Sequence, residues 1–226
     1  MRRSIFILGS GGFARELYGY LCVLHQFPRN HADPERISRP VLQHEILYVD
    51  DNRTGTNIIT LSEYNSRIVN ASQVGTECYT LMGSGKSDIR ARMISQIRGK
   101  VMSLIHPAAH VFTSKLGQGT IIAPGAVVAP NASLGMYALI NYNATIGHDS
   151  VLEDMVVVGP NAAIGGGVTV ESGVYIGAGA TIKEGIRIGK NSVVGMGAAV
   201  VKSVPSNVTV VGVPAKVVSN KKGDEA

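Results

Sequence analysis

The 226-residue sequence contains no tryptophan, and aromatic residues make up only 5% of it. Charged residues reach only 16%, while apolar residues account for 45% and glycine for 27 positions. That balance excludes a disordered chain, which combines few aliphatics with high net charge. Two cysteines, Cys22 and Cys78, are too few for a disulfide framework or a metal cluster and point to a reducing compartment. No apolar run approaches the roughly 18 residues of a membrane span. The opening Met1-Arg2-Arg3 followed by Ile5-Phe6-Ile7-Leu8 imitates a signal peptide, but the apolar run is short and glycines end it. A cytoplasmic protein is expected.

The net charge of +5 is unevenly spread. Residues 1–105 hold 13 Lys/Arg against 9 Asp/Glu, a net +4, whereas residues 106–218 hold 6 against 5, a net +1. No dense basic run interleaved with aromatics occurs, so nucleic-acid binding is set aside. A modest positive bias suits small phosphorylated ligands.

What the chain does have is a period. Stepping by six from Leu116 gives Leu, Ile or Val at fifteen consecutive positions, ending at Val200, without a miss or an insertion. Four places after each aliphatic a small or β-branched residue recurs, as at Thr120, Ala126, Ala132, Ala138, Ala144 and Ser150. One place after it glycine recurs, as at Gly117, Gly135, Gly147, Gly159, Gly165, Gly177, Gly189 and Gly195. Each hexad then reads as a short strand and a corner. The aliphatic fills the interior, the small residue fits the turn, and glycine accepts strained dihedrals. Three hexads close one triangular coil, so the run makes five stacked coils. A sandwich of alternating strands would show period two instead.

Residues 1–105 follow a different rhythm. Ile5–Leu8 reads as a buried strand, Gly9-Ser10-Gly11-Gly12 as a tight loop, and Phe13 to about Gln26 as a helix. A second strand over Ile46–Val49 ends in Asp50-Asp51-Asn52, and Thr60-x-x-Glu63 forms a capping box. A third strand, Tyr79–Met82, precedes Gly83-Ser84-Gly85-Lys86; a helix from Ser87 to Arg98 and a fourth strand over Lys100–Ile105 follow. Alternating strands and helices predict a small parallel sheet in Rossmann style. Gly9-x-Gly11-x-x-Ala14 matches the dinucleotide fingerprint, but Asp50 lies 36 residues after Ala14 instead of about 20. Two readings stay open: glycines that only make a tight turn, or a phosphate held at a helix N-terminus with Asp50 and Asp51 accepting from a base or ribose.

These features together — Ile7-Leu8-Gly9-Ser10-Gly11-Gly12, the Asp50-Asp51 pair, Ile105-His106-Pro107 and the hexads — resemble one bacterial family. It contains the nucleotide-sugar N-acetyltransferases and sialic acid O-acetyltransferases among the hexapeptide-repeat acyltransferases, including those acting on bacillosamine and perosamine precursors. The resemblance implies a Rossmann-like nucleotide-sugar-binding domain over 1–105 and a left-handed parallel β-helix over 106–218, closed by Val211-Gly212-Val213-Pro214-Ala215-Lys216. Residues 219–226 are expected to form a flexible tail. It further implies a homotrimer, acetyl-CoA as co-substrate without a metal, and a place in surface-glycan biosynthesis. Substrate contacts map to Gly9, Ser10, Gly11, Gly12, Asp50, Asp51 and Gly83. Many relatives carry His where this chain has Phe13.

Within one hexad, Ile146-Gly147-His148-Asp149 directs His148 outward, and the resemblance makes it the general base with Asp149 as its partner. Asn141 resembles the residue that positions the amine acceptor. The backbone N–H of Gly166 is nominated for the oxyanion, and Ala178, Gly195 and Lys216 for CoA. A sugar amine attacking a thioester must lose a proton, a task that suits histidine near neutral pH. The implied reaction is acetylation of the amine, at the 4-position, of a nucleotide-linked amino-dideoxyhexose. The alternatives are O-acetylation of a sialic-acid-like sugar, and a non-catalytic trimeric sugar-nucleotide-binding protein. His25, His31 and His44 belong to no motif. His106 and His110 stand four apart, but Pro107 argues against a zinc-binding helix, and the hexads supply only His148 toward a three-histidine zinc site.

Overall fold

The computed structural model describes residues 3–9, 11–24, 44–50, 52, 58–73, 77–85 and 87–220. It divides into two compact units: Met1–Ser84 with Arg92–Met102, and Gly85–Ala91 with Ser103–Ala226.

The first unit is a parallel sheet with helices between its strands. Strands β1 (Arg3–Leu8), β2 (His44–Val49), β3 (Ile58–Ile59), β4 (Glu77–Met82) and β5 (Lys100–Val101) lie in the order β3-β2-β1-β4-β5. Helices α1 (Gly12–Leu24), α2 (Leu61–Gln73) and α3 (Ser87–Gln96) link them, with the chain crossing from β2–β3 to β4 across β1. Ile5 to Leu8 are buried, as the continuous apolar run requires of a central parallel strand. The short strand β3 is not expected from the sequence, because two isoleucines between Asn57 and Thr60 are too short a pattern to register. The capping box forms as expected: Thr60 N donates to Glu63 Oε2 at 2.9 Å, and Glu63 N donates to Thr60 Oγ1 at 3.2 Å. The Thr60 backbone N–H first, then the Thr60 hydroxyl donating to Oε2 at 3.1 Å, hold the Glu63 carboxyl below its ordinary range.

The long stretch of the second unit starts at Ser103, where the sequence suggested a division at 105/106, and the unit also takes in Gly85–Ala91. The expected single strand Lys100–Ile105 is in fact two. Lys100–Val101 pairs with β4, and β6 (Leu104–Ile105) pairs with Ile121–Ile122 of the coil. Both segments have strand chemistry, so only their partners separate them.

From β6 onward the chain winds as a three-sided parallel β-helix. Two-residue strands recur once per hexad and pair with the strand three hexads away, as in Thr145↔Ala163 and Val151↔Thr169. The hexad aliphatics from Ile122 to Val200 are all buried, and Leu116 packs partly against the end of the column. The column residues and the buried small residue of each hexad are all small or aliphatic, which leaves no room for tryptophan inside the coil. The coil extends beyond the fifteen hexads in both directions, through β6 at the start and Val208–Val211 at the end. Three of the small positions carry buried hydroxyls, and each donates to a corner carbonyl: Thr120 to Gly117 O, Ser150 to Gly165 O and Ser192 to Pro205 O.

The repeated glycine has a different role from the one expected. The left-handed corner position is not one but three residues after the aliphatic. It is held by glycine at 119, 125, 167, 173, 179, 185 and 197 and by Asn131, Tyr137, Asn143, Asp149, Met155, Asn161 and Asn191 elsewhere. The glycine one place after the aliphatic is instead where coils come closest. A Cβ on Gly147 would stand 2.5 Å from the Gly166 nitrogen, and one on Gly135 would stand 2.5 Å from the Asp154 nitrogen.

The tail begins later than expected, since Ser219 and Asn220 still pair with Thr209 and Val208 in the antiparallel strand Lys216–Asn220. The last six residues, like His25, His31, Ser10 and Asp51, lie outside the described residues. Among the described residues, no helix is long and apolar enough to cross a membrane, and no group of three His, Cys, Asp or Glu could hold a metal ion.

Candidate active site

Two-residue corners divide the coil into three edges, each built from positions three hexads apart. One edge stacks 130–131, 148–149, 166–167 and 184–185. A second stacks 136–137, 154–155, 172–173 and 190–191, and a third 142–143, 160–161, 178–179 and 196–197.

His148 stands on the first edge, directed outward as counted from Ile146, with its side chain 71% exposed. Its Nδ1 lies 2.7 Å from Asp149 Oδ2. Asp149 occupies the left-handed corner at φ 59°, where an aspartate is tolerated better than most side chains. That turn presents consecutive side chains side by side on the edge. The Asp149 carboxyl is held below its ordinary value, chiefly by the hydrogen bond with His148, then by one from Asn131, with Lys115 contributing charge.

Gly166 sits one coil on, directly against the imidazole. A Cβ there would stand 2.6 Å from His148 Nε2, so glycine is what lets the ring lie across this corner. The neighbouring amides are bound into the coil: Gly165 N donates to Ile182 O, and Gly167 N donates to His148 O. The Gly166 amide is bonded to no group among the described residues, leaving a donor at the open edge.

The remaining candidates fall elsewhere. Asn141 follows the strand Leu139–Ile140 and leads into the third edge, and its Oδ1 accepts from Tyr142 N at 2.8 Å. Ala178 stands on that same third edge and Gly195 leads into its next corner, where a Cβ on Gly177 would stand 2.8 Å from Gly195 C. Lys216, exposed, opens the last strand opposite Val211. Within one chain, therefore, His148, Asp149 and Gly166 share one edge, and Asn141, Ala178 and Gly195 share another.

In the first unit, Gly9 adopts φ 91° and its N–H donates to Val49 O. Gly11 and Gly12 are different: a Cβ on either would meet nothing within 4 Å, and neither has a left-handed φ. Their lack of a side chain answers no need of the described chain. Gly83 has an internal reason, because a Cβ would stand 2.5 Å from Leu8 O and 2.9 Å from the Ala14 Cβ. It is buried, and its N–H donates to Leu8 O. Asp50 is half-buried at the end of β2, and its Oδ1 accepts from Asn52 N at 3.0 Å. His106 is buried, its Nδ1 accepting from Ala108 N, which gives it a structural place.

Residues 149–184 match the family described as bacterial transferase hexapeptide (six repeats). No curated protein matches the sequence. Solved structures match over nearly the whole chain. WeeI from Acinetobacter baumannii AYE is 24% identical with TM-score 0.81, covering 96% of this chain and 100% of its own. The acetyltransferase domain of PglB from Neisseria gonorrhoeae FA1090, solved with acetyl coenzyme A, is 25% identical with TM-score 0.79 and covers 96% and 100%. PerB from Caulobacter crescentus, solved with CoA and GDP-perosamine, is 24% identical with TM-score 0.78 and covers 96% and 97%. The chain thus has the fold of these proteins, a left-handed parallel β-helix of hexapeptide repeats carrying an N-terminal α/β unit.

Proposed function

We propose that this chain transfers the acetyl group of acetyl-CoA to the amine of a nucleotide-linked amino-dideoxyhexose, at its 4-position, with His148 as general base. The observation that carries the reading is the 2.7 Å pairing of His148 Nδ1 with Asp149, with Nε2 lying against Gly166 on an open edge. Asp149 takes the Nδ1 proton as a hydrogen bond, which leaves the Nε2 lone pair free to act as a base. As the sugar nitrogen bonds to the thioester carbonyl carbon, Nε2 removes the amine proton. The Gly166 N–H donates to the carbonyl oxygen as it takes on negative charge. When the C–S bond breaks, the imidazolium returns its proton to the departing thiolate.

The division of candidates over two edges supports a homotrimer. Asn141, Ala178 and Gly195 cannot serve the same acceptor as His148 from their own edge, but the third edge of a neighbouring copy brings them to it. The first unit takes the nucleotide. Gly11 and Gly12, open at the N-terminus of α1, suit a close phosphate, and Asp50 suits a base or ribose. The relatives support the ligand classes, since PerB was crystallised with CoA and GDP-perosamine, also in a variant replacing one histidine with asparagine.

The test is thiol release from acetyl-CoA with a panel of UDP-, dTDP- and GDP-linked 4-amino sugars, with mass spectrometry of the products. An acetylated amine is expected. Acetylation at hydroxyls alone would replace this reading with O-acetylation, and binding without thiol release would make the protein a sensor. Sedimentation is expected to give three times 23.8 kDa, and a stable active monomer would sink the shared site. Asp50→Ala is expected to raise the KM for the sugar nucleotide roughly ten- to a hundredfold while that for acetyl-CoA barely moves.

A further inference from the structure

Every two-residue strand of the coil turns one side chain inward and the other outward. On two faces the outward residues are exposed, as at Thr145, Val151, Thr181 and Arg187, or half-buried, as at Val127 and Thr169. The third face stacks Ile121–Ile122, Leu139–Ile140, Val157–Val158 and Tyr175–Ile176. There the outward Ile121, Leu139 and Val157 are buried, and Tyr175, one coil on, is half-buried. The segment Gly85–Ala91, which belongs to the coil's own unit, lies on that face: a Cβ on Gly85 would stand 4.0 Å from Leu139 Cδ2.

Arg90 fastens the segment. It is the largest fully buried side chain among the described residues, and its Nη2 donates to the carbonyl of Tyr137, at the corner that opens into Leu139–Ile140. Tyr137 holds the left-handed place of that corner, at φ 57°. The carbonyls at the same place in the neighbouring corners, Asn131 and Asn143, accept from no backbone amide among the described residues. The coil leaves this acceptor over, and Arg90 takes it at Tyr137. Burial draws the guanidinium down to about 10, so it stays charged at neutral pH. An aliphatic side chain would cover aliphatics as well, whereas a charged donor on one carbonyl fixes one geometry. Leu139 and Asn141 stand two residues apart on the same side of the strand, whose ladder continues through Asn141 N donating to Val158 O. Packing does not require glycine at 85, since a methyl group there would make only ordinary contact with Leu139 and the φ is not left-handed. Bare backbone at that point suits a ring passing close by.

We propose that Gly85–Ala91, held by Arg90, walls the acceptor subsite beside Asn141 and selects the sugar, which makes Arg90 a positioning residue for the acceptor. The inference rests on the reading of Asn141 and His148 above. The segment adds no group to the chemistry. His148, Asp149 and Gly166 lie on another edge, so the wall acts on sugar binding and leaves the base alone.

Arg90→Met keeps most of the volume and removes the donor. The KM for the sugar nucleotide is expected to rise roughly tenfold, with kcat and the KM for acetyl-CoA nearly unchanged. Arg90→Lys keeps a charged donor and is expected to recover part of that loss. Should Arg90→Met fail to fold, hydrogen exchange at the amides of 85–91 in the parent protein gives the answer. It is measured with each of the UDP-, dTDP- and GDP-linked 4-amino sugars, and with CoA alone. At about ten times the Kd, one of the sugars is expected to slow exchange roughly tenfold, and CoA to leave it unchanged. A lowered melting midpoint in Arg90→Met with both KM values held would reduce Arg90 to a structural cover and overturn the proposal. Exchange that no sugar nucleotide slows would overturn it too. Slowed exchange without thiol release from acetyl-CoA would leave the wall standing and remove the reading of His148 instead.

Discussion

Two edges of the same coil use their carboxylates differently. On the edge of residues 154, 172 and 190, acidic side chains bind corner amides of neighbouring coils. Asp154 accepts from Met136 N at 2.7 Å, Glu153 from Ser172 N at 2.9 Å, and Glu171 from Lys190 N at 2.7 Å, with Arg187 also on Glu171. Those acids satisfy backbone donors that the turn leaves over. On the edge of residues 148 and 166 the acid, Asp149, is turned to a histidine, and the corner amide of Gly166 is left open. The contrast separates acids that staple the fold from one that holds the proposed base.

The largest test of that contrast is His148→Ala. The side chain leaves the aliphatic column untouched, so melting and assembly are expected to match the parent while kcat drops roughly 10²–10⁴-fold. Near-full turnover in a folded trimer would move the base elsewhere. Gly166→Ala comes next. Its methyl group would push the imidazole aside at little cost to a flexible exposed ring, and kcat is expected to fall by about 10² with the melting midpoint retained. An active Gly166→Ala enzyme would mean that the ring works from another position.

Asp149→Asn is expected to be milder than His148→Ala, because it loosens the ring without removing it. Steady-state kinetics of the two variants side by side would order them. The smallest effect is expected at Glu171→Gln, which touches the other edge. Glu171 sits below its ordinary value, first through Lys190 N and then Arg187. A lowered folded-state value means stability present above the unfolded value near 4.5 and lost as pH falls through the folded one. Thermal midpoints measured from pH 7 down to 3 are expected to converge for Glu171→Gln and the parent at the acid end, with kcat equal at pH 7. A loss of turnover in Glu171→Gln would erase the distinction between the edges.

Much of this architecture is legible in the residues themselves. An unbroken six-residue recurrence leaves few folds open, since each aliphatic must point inward at every third of a turn, and His148 falls outward by counting alone. The capping box of α2 and the glycine loop after β1 are likewise local and readable. What the recurrence cannot assign is the purpose of each glycine. A residue required by a close neighbour and one required by its own φ look alike in a sequence, and only the stacking of Gly135 against Asp154 separates them.

Residue order was enough for the period, the aliphatic column, the outward histidine and the alternation of strands and helices near the start, because each depends on contacts within one hexad or one short segment. Folding in three dimensions settled which carboxylates bind backbone and which binds His148, that Lys100–Val101 and Leu104–Ile105 join different sheets, and that Gly83 is shaped by Leu8 and Ala14. Those outcomes depend on which distant segments lie a few ångströms apart, and side-chain spacing along a chain carries no record of that until the coil is closed.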